Sequence, residues 1–93
     1  MKCTLLRSNS FINAAKKLAK KDSSLAAELE TALELLSENI YDTNLRSHKL
    51  KGKLHGSMAC SVNYSVRVVF KIVKYQGNDA ILLETIGTHD EIY

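Results

Sequence analysis

The second half of the chain carries histidine and arginine side chains that suit acid–base chemistry on a polyanion. Residues 46–55, Arg-Ser-His-Lys-Leu-Lys-Gly-Lys-Leu-His, contain four cationic side chains, two of the three histidines and no carboxylate. Arg67 follows in an apolar run, and His89 lies near the C-terminus. Imidazoles exchange protons near neutral pH, and guanidinium groups bind phosphate through paired N–H donors. RNA is the obvious polyanion for such a set.

The charge of the chain is divided between two segments. Residues 46–74 contain seven cationic side chains and no Asp or Glu, whereas residues 23–44 contain five carboxylates and no Lys or Arg. The net charge of +3 therefore hides one positive and one negative surface. The positive surface predicts binding to nucleic acid. A solvated basic loop accounts for the charge run equally well.

Arg67 lies between two valines in a stretch whose alternation predicts a strand. A guanidinium there needs either a carboxylate or a bound anion. Glu84, on the next predicted strand, is the expected partner if the role is structural. We favour the anion, because the same sheet leads directly to His89.

Metal and cofactor chemistry is weakly indicated. A single histidine is more often a surface residue than a catalyst, and no two histidines have the i, i+3 or i, i+4 spacing of a helical metal site. Cys3 and Cys60 form no metal-like pair, so we expect two buried, reduced thiols. The chain has no Gly-rich phosphate loop and no pair of catalytic carboxylates. We therefore expect neither a metal nor a cofactor.

Length and composition predict one globular domain, residues 1–93, with a modest core, since 45% of the residues are hydrophobic. The chain contains no Pro and few Gly, so no stretch is typical of a linker. The N-terminal apolar run is too short for a signal peptide, and no run reaches the ~18 apolar residues of a membrane span. We expect a cytoplasmic protein without membrane contact.

The first half of the chain shows helical periodicity after a short strand. We predict a strand over Cys3–Arg7, a helix over Ser10–Lys20 and a helix over Leu25–Glu38. The short connection between the helices predicts an antiparallel helical hairpin.

The second half changes to a period of two. We predict strands over Met58–Val62, Val66–Val73 and Ala80–Ile86, the last two joined by a turn over Gln76–Asp79. The order β-α-α-β-β-β predicts an α+β fold in which the helical hairpin packs on one face of a mainly antiparallel sheet. The other face is expected to stay open to water or a ligand.

The alternation of the middle strand assigns its faces. Four apolar side chains are expected to contact the helices, namely Val66, Val68, Phe70 and Ile72. Arg67 and Lys71 then project from the open face.

Three motifs together resemble the RelE/ParE toxin superfamily, and are most similar to its YafQ-like branch of messenger-RNA interferases. They are His-Lys-Leu-Lys-Gly at 48–52, Val-Arg-Val-Val-Phe at 66–70 and Gly-Thr-His-Asp-Glu-Ile-Tyr at 87–93. The likeness covers essentially the whole chain, including its length and element order. The first and last motifs, separated by a basic strand, are fairly specific together.

The resemblance implies a toxin of a bacterial type II toxin–antitoxin system, neutralised by an antitoxin that wraps it. It also implies that the toxin enters the ribosomal A site and cuts messenger RNA there without a metal. In that reaction the ribose 2′-hydroxyl attacks the adjacent phosphate. The enzyme removes a proton from this hydroxyl, stabilises the phosphorane and protonates the leaving 5′-oxygen.

The resemblance also implies roles for single residues. His48 matches a base or substrate-positioning residue, Arg67 the arginine that stabilises phosphate charge, and His89 a terminal acid or base. Tyr93 matches an aromatic residue that stacks on or orients a nucleobase. Lysines 51 and 53 match backbone-binding positions. The remaining side chains predicted to bind RNA on the basic surface are Arg46, Lys49, His55 and Lys71.

The chain departs from the family pattern at three positions. Ser61 stands where a His is common, Ser65 where an acidic residue is frequent, and Met58 near a usual Trp. These departures leave open how acid and base duties are divided. Two other functions remain as alternatives: a ParE-like toxin that inhibits gyrase without catalysis, and a basic RNA-binding module.

Overall fold

Three helices and five strands make up the chain in the computed structural model, which describes residues 2–93. Their bounds are Thr4–Arg7 (β1), Asn9–Lys21 (α1), Leu25–Glu38 (α2), His48–Lys49 (β2), Met58–Ser61 (β3), Val66–Tyr75 (β4), Asn78–Thr88 (β5) and His89–Ile92 (α3). The α+β class and the two helices packed on a sheet are confirmed. The sequence pattern did not predict β2 or α3. None of the helices in the described residues is long and apolar enough to cross a bilayer.

The sheet has the order β1-β5-β4-β3-β2 and is antiparallel except where β1 runs parallel to β5. β2 pairs only two residues with β3, placing His48 opposite Ala59. This short edge strand attaches the basic segment 46–55 to the sheet. β4 and β5, the two longest strands, are neighbours inside the sheet and pair with each other over ten residue pairs.

The helices cover one sheet face through their apolar sides. Ser8 caps α1 by accepting a hydrogen bond from the Phe11 N–H at 3.0 Å, and its hydroxyl donates to the Glu84 carbonyl at 2.9 Å. The start of α1 is thereby fixed against β5. The fully buried side chains between helices and sheet include Phe11, Leu25, Leu36, Val68, Phe70, Ile81 and Leu83. Ile72 was wrongly predicted to join them: it is 43% exposed.

The β4–β5 hairpin is tighter than predicted. Gln76 and Gly77 alone form the turn, both with positive φ (51° and 80°), and pairing already starts at Tyr75 and Asn78. Two consecutive residues with positive φ are typical of type I′ turns, whose twist matches that of the strands. Both strands therefore extend further than the hydrophobic alternation indicated.

A register shift between Val69 and Phe70 interrupts the β4–β5 pairing. Val69 pairs with Thr85 and Phe70 with Leu83, which leaves Glu84 as the extra residue of a β-bulge. The Glu84 carboxylate accepts a hydrogen bond from Ser57 and lies 3.4 Å from the Lys71 ammonium. The Glu84 carboxylate is thus bound by Ser57 and Lys71 on the face of the sheet away from the helices.

The second sheet face is partly covered, contrary to the expectation of an open face. Leu50, Ala59 and Val69 are buried there, with Leu54 and Ile92 packed against them. The segment around a 3₁₀ turn at Gly52–Leu54 folds back over the sheet, since its leucines gain burial while its lysines stay in water. An uncovered region remains beside this cluster.

The two cysteines differ in environment. Cys3 is exposed, so its predicted burial is wrong, whereas Cys60 is buried beneath the helices. Burial raises the pKa of the Cys60 thiol to about 12. That thiol therefore stays protonated at neutral pH and behaves as an apolar core group.

Candidate active site

A cavity of about 300 Å³ opens on the second sheet face, beside the Leu50 cluster. Residues from β2, β3, β4, the C-terminus and the loop before β2 line it: Arg46, His48, Ser61, Arg67, His89 and Tyr93. Two guanidinium groups and two imidazoles thus share one cavity whose lining includes no Asp or Glu side chain. Such a cavity favours an anion.

Hydrogen bonds on both ring nitrogens orient His48. Nδ1 lies 3.0 Å from the Arg46 carbonyl oxygen, and Nε2 lies 2.6 Å from the Tyr93 hydroxyl oxygen. A carbonyl only accepts, so Nδ1 carries the hydrogen and Nε2 of the neutral ring accepts from Tyr93. Arg46 has a left-handed backbone (φ 51°) next to this contact. The Nε2 lone pair of His48 therefore faces the cavity side occupied by Tyr93.

Arg67 is fixed by main-chain carbonyls. Its Nη1 donates to the carbonyl oxygens of Asn63 at 2.7 Å and of Tyr64 and Val66 at 3.1 Å. None of the ion pairs within residues 2–93 involves Arg67, and Glu84, its expected structural partner, pairs with Lys71 instead. Within the described residues the guanidinium has no carboxylate partner, and its Nε and Nη2 groups make no hydrogen bond to a main-chain carbonyl. A side-chain hydrogen bond between Arg67 and Tyr93 is one of the influences that oppose the raised pKa of that phenol. This arrangement fits a bound anion.

His89 starts α3, and the local sequence fixes where the helix begins. The His89 N–H donates to the Ser65 carbonyl at 2.6 Å. Thr88 and Glu91 form a capping box: Thr88 N–H donates to Glu91 Oε1 at 2.8 Å, and Glu91 N–H donates to the Thr88 hydroxyl. The Thr88 backbone N–H is the main reason that the pKa of Glu91 is lowered.

Gly87 allows α3 to fold back over the end of β5. A Cβ at this position would lie 3.3 Å from side-chain atoms of Glu91 and Ile92, closer than ordinary contact. Gly87 is also the residue that pairs with Arg67 across the strands. The close approach of α3 therefore brings the C-terminal residues to the Arg67 side of the sheet.

Tyr93 lies between the two histidines. Its ring centroid is 5.4 Å from that of His48, nearly parallel at 25°, and 4.6 Å from that of His89, tilted at 55°. Burial raises the pKa of Tyr93, although the nearby Arg67 charge opposes this shift. The phenol therefore remains a hydrogen-bond donor at neutral pH.

The other predicted RNA-binding residues lie outside this cavity. Lys49 and Lys51 line a neighbouring cavity of about 360 Å³, which shares His48 and Tyr93 with the first. Lys53 and His55 are exposed at the 3₁₀ turn, and Lys71 pairs with Glu84. The structure thus brings Arg46, His48, Arg67, His89 and Tyr93 together, and the roles of the remaining side chains stay predictions.

A metal has few ligands here. In the part of the chain that the structure describes, no three His, Cys, Asp or Glu side chains come together to hold an ion. Both ring nitrogens of His48 are already engaged by Arg46 and Tyr93.

One site residue, Ser61, escaped the sequence analysis. Ser61 lines the cavity directly opposite Arg67 in the β3–β4 register, although it was noted only as a departure from the family pattern. Asn63 shapes the β3–β4 turn, its Oδ1 accepting from the N–H groups of Ser65 and Val66. An Asn three residues before a strand is a signal for such a turn.

Comparison with known proteins shows one family. A family model described as a bacterial toxin of type II toxin–antitoxin systems, YafQ, matches residues 3–93. No functionally curated protein matches the sequence.

Several solved structures share the fold. YafQ from Escherichia coli strain BL21(DE3) is 19% identical, with 99% of each chain covered and a TM-score of 0.76. The E. coli DinJ–YafQ toxin–antitoxin complex contains a chain 20% identical, covering 100% of this chain and 99% of that one, with a TM-score of 0.74. A copper-bound mutant toxin from Helicobacter pylori is 28% identical over 100% of both chains, with a TM-score of 0.69.

Proposed function

Because the chain belongs to the YafQ family of type II toxin–antitoxin toxins, we propose that it is a metal-independent endoribonuclease that cuts messenger RNA on the ribosome. In this proposal residues 1–93 act as one toxin domain. The proposal depends on one observation: two imidazoles and a guanidinium fixed by main-chain carbonyls meet in a cavity that no Asp or Glu side chain lines.

The reaction is a transesterification at one phosphate. The 2′-oxygen forms a bond to phosphorus, and the bond to the 5′-oxygen of the next nucleotide breaks. The products are a 2′,3′-cyclic phosphate and a free 5′-hydroxyl. One proton leaves the 2′-hydroxyl and one is delivered to the departing 5′-oxygen, so the step needs a base and an acid but no redox partner.

His48 is proposed as the base. When Nδ1 of the neutral ring carries the hydrogen toward the Arg46 carbonyl, Nε2 is the acceptor that faces the Tyr93 hydroxyl. The 2′-hydroxyl takes the position of the Tyr93 hydroxyl at Nε2, or passes its proton through that hydroxyl. Holding the correct tautomer in advance removes one reorganisation step from the reaction.

Arg67 is proposed to stabilise the phosphorane. A phosphorane carries more charge than the phosphate from which it forms, so a guanidinium fixed before the reaction binds the transition state more strongly. The three carbonyl contacts on Nη1 supply that fixation. The other N–H groups of Arg67 are proposed to bind the phosphate oxygens, in exchange for the side-chain hydrogen bond to Tyr93.

His89 is proposed as the acid that protonates the 5′-oxygen. It lines the same cavity as Arg67, and its backbone is held by Ser65 and by the Thr88 cap. A rigid position matters, because general acid catalysis requires the donor within hydrogen-bond reach of the leaving oxygen. Tyr93 orients both imidazoles and offers its ring to a nucleobase.

The basic segment supplies affinity for the ribosome. Lys49 and Lys51 border the cavity, and Lys53 and His55 continue the basic surface outward. Lysine contacts to phosphates act as point charges and make binding salt-dependent. The site of action is the ribosomal A site, and hence the cytoplasm.

A cognate antitoxin is the proposed protein partner. The E. coli YafQ structure with DinJ is a toxin–antitoxin complex of the same fold. In this chain the uncompensated charges of Arg46 and Arg67 suit an acidic antitoxin segment, which would cover the cavity and exclude RNA.

The test is incubation of the purified protein with ribosomes translating a defined messenger RNA, followed by mapping of the RNA ends. We expect cuts within the A-site codon that leave 2′,3′-cyclic phosphate and 5′-hydroxyl ends. A message with a single 2′-deoxy nucleotide at the cut position should bind equally but stay intact. Intact message accompanied by inhibited gyrase would instead assign the chain to gyrase-binding toxins, and RNA binding without either effect to non-catalytic modules.

A further inference from the structure

Tyr64 combines an exposed side chain with a rigid backbone. Its 97% exposure exceeds that of every other large hydrophobic side chain in residues 2–93. The turn that carries it is tied down by Asn63, whose Oδ1 accepts from the backbone N–H groups of Ser65 and Val66. Asn63 Nδ2 also donates to Glu28 Oε1 at 3.0 Å, which joins the turn to α2. An exposed aromatic ring on a fixed turn is preorganised for contact with a ligand.

The turn is coupled to the proposed phosphate-binding group. Arg67 Nη1 donates to the carbonyl oxygens of both Asn63 and Tyr64. The guanidinium and the Tyr64 backbone therefore hold each other in place. A nucleotide bound at Arg67 has Tyr64 as a neighbour.

A second cavity, of about 410 Å³, lies on the Tyr64 side of Arg67. It is lined by Tyr64, Ser65, Arg67, Thr88, His89 and Asp90. The two cavities share only Arg67 and His89, and each has one tyrosine, Tyr93 in the first and Tyr64 in the second. Both volumes lie near the lower end of the roughly 300–1,000 Å³ of small-molecule sites.

The shared boundary indicates how a dinucleotide would lie. A dinucleotide has one phosphate between two nucleosides, and the two shared residues are those proposed to act on that phosphate and its leaving oxygen. His48, proposed to act on the 2′-hydroxyl, belongs to the first cavity alone. The nucleoside before the cut therefore occupies the first cavity and the one after it the second.

We propose that Tyr64 is a positioning residue that stacks on the nucleobase immediately 3′ of the cut. The inference rests on the proposed function, which supplies the position of the phosphate. Base–aromatic stacking tolerates any sequence, because every base has a π-face. Tyr64 thus binds the nucleotide 3′ of the cut without selecting a base.

A test that needs no cleavage uses the absence of tryptophan from the chain. Tyr64→Trp creates a single-tryptophan protein whose emission reports stacking at that position. The probe is a mixed-sequence octanucleotide of 2′-fluoro RNA, which cannot undergo attack by a 2′-oxygen. We expect saturable quenching. Absence of quenching at RNA concentrations that saturate binding would overturn the proposal.

RNA binding and cleavage by variants with a smaller side chain at position 64 complete the test. Tyr64→Ala should weaken octanucleotide binding between roughly tenfold and a hundredfold. On ribosomes it should raise KM with little change in kcat, and Tyr64→Phe should restore KM. Tyr41→Ala is the matched control, since Tyr41 is 65% exposed and lines neither cavity. If Tyr64→Ala binds RNA within twofold of wild type, or loses only antitoxin binding, the stacking role is overturned.

Different results would overturn the nuclease activity and the stacking role of Tyr64. A wild-type protein that cuts no message but whose Tyr64→Trp variant is quenched by the octanucleotide would overturn the nuclease and support Tyr64 as an RNA-stacking residue. Cleavage of message by a Tyr64→Ala variant with unchanged KM and kcat would support the nuclease and overturn the stacking role.

Discussion

The Tyr93 hydroxyl lies 2.6 Å from Nε2 of His48, although the two residues are 45 positions apart in the chain. Their rings are also stacked, with centroids 5.4 Å apart. This contact joins the last residue of the chain to the edge strand β2 and closes one side of the cavity. It also defines the tautomer of His48, because the other ring nitrogen faces a carbonyl.

Removing the Tyr93 hydroxyl should lower the cleavage rate modestly. Tyr93→Phe keeps the stacked ring but loses a neutral hydrogen bond, worth roughly 0.5–1.5 kcal/mol, so kcat should fall between about twofold and tenfold. Tyr93→Ala should cost more, since both histidines lose a packing neighbour. Single-turnover cleavage of ribosome-bound messenger RNA measures both. Equal losses in the two variants would show that the ring contributes nothing beyond the hydroxyl.

Arg67→Ala should lower cleavage by roughly two to three orders of magnitude, the usual cost of losing one preorganised charge-stabilising donor. Arg67→Lys should recover only part of the rate, because an ammonium lacks the planar fork. The carbonyl contacts to the β3–β4 turn are lost as well, so urea unfolding should show a stability loss of about 1–2 kcal/mol. Full activity in a folded Arg67→Ala protein would remove Arg67 from the mechanism.

Glu91 should link the stability of α3 to pH. The Thr88 N–H lowers the pKa of Glu91 in the folded protein below its usual 4.5, so the stabilisation is present above that value. It is lost as the pH falls through the lowered pKa. Glu91→Gln keeps a side chain able to cap Thr88 and should remove this acid dependence, whereas Glu91→Ala should fray α3.

Fraying of α3 should also reach the active site. His89 is the first residue of this one-turn helix and Tyr93 follows its last, so Glu91→Ala should reduce cleavage at neutral pH more than Glu91→Gln does. Thermal unfolding and amide exchange between pH 3 and 7 measure the acid dependence of α3 stability. Single-turnover rates measure the loss of cleavage. Identical acid sensitivity in wild type and Glu91→Gln would show that the Glu91 carboxylate does not cause the acid dependence of α3 stability.

Elements with a clear hydrophobic period were predictable. The helix over Leu25–Glu38 is confirmed to the residue, since one apolar face repeats along it. The face of Arg67 was predictable for the same reason, because strand alternation opposes it to Val66 and Val68. A hydrophobic period indicates which side of an element is buried, and in both elements burial decides which way the side chains face.

Contacts set by local polar geometry were harder to predict. The helix at His89 depends on the Thr88–Glu91 capping box, a sequence signal that a search for hydrophobic period overlooks. The Lys71–Glu84 pair depends on a bulge that shifts the register by one residue, and alternation alone predicts no bulge. The cover formed by Leu50 and Leu54 is long-range, and nothing in the sequence assigns those leucines to the second face.

In the proposed reaction, this cavity cuts RNA with His89 as the acid. The most direct measurement is single-turnover cleavage of ribosome-bound messenger RNA by wild type and His89→Ala across pH. His89→Ala should keep its fold, antitoxin binding and ribosome binding. Its rate should fall by roughly two to four orders of magnitude, and the alkaline limb of the wild-type profile should disappear. Cleavage near the wild-type rate with an unchanged pH profile would contradict the account and exclude His89 as the acid.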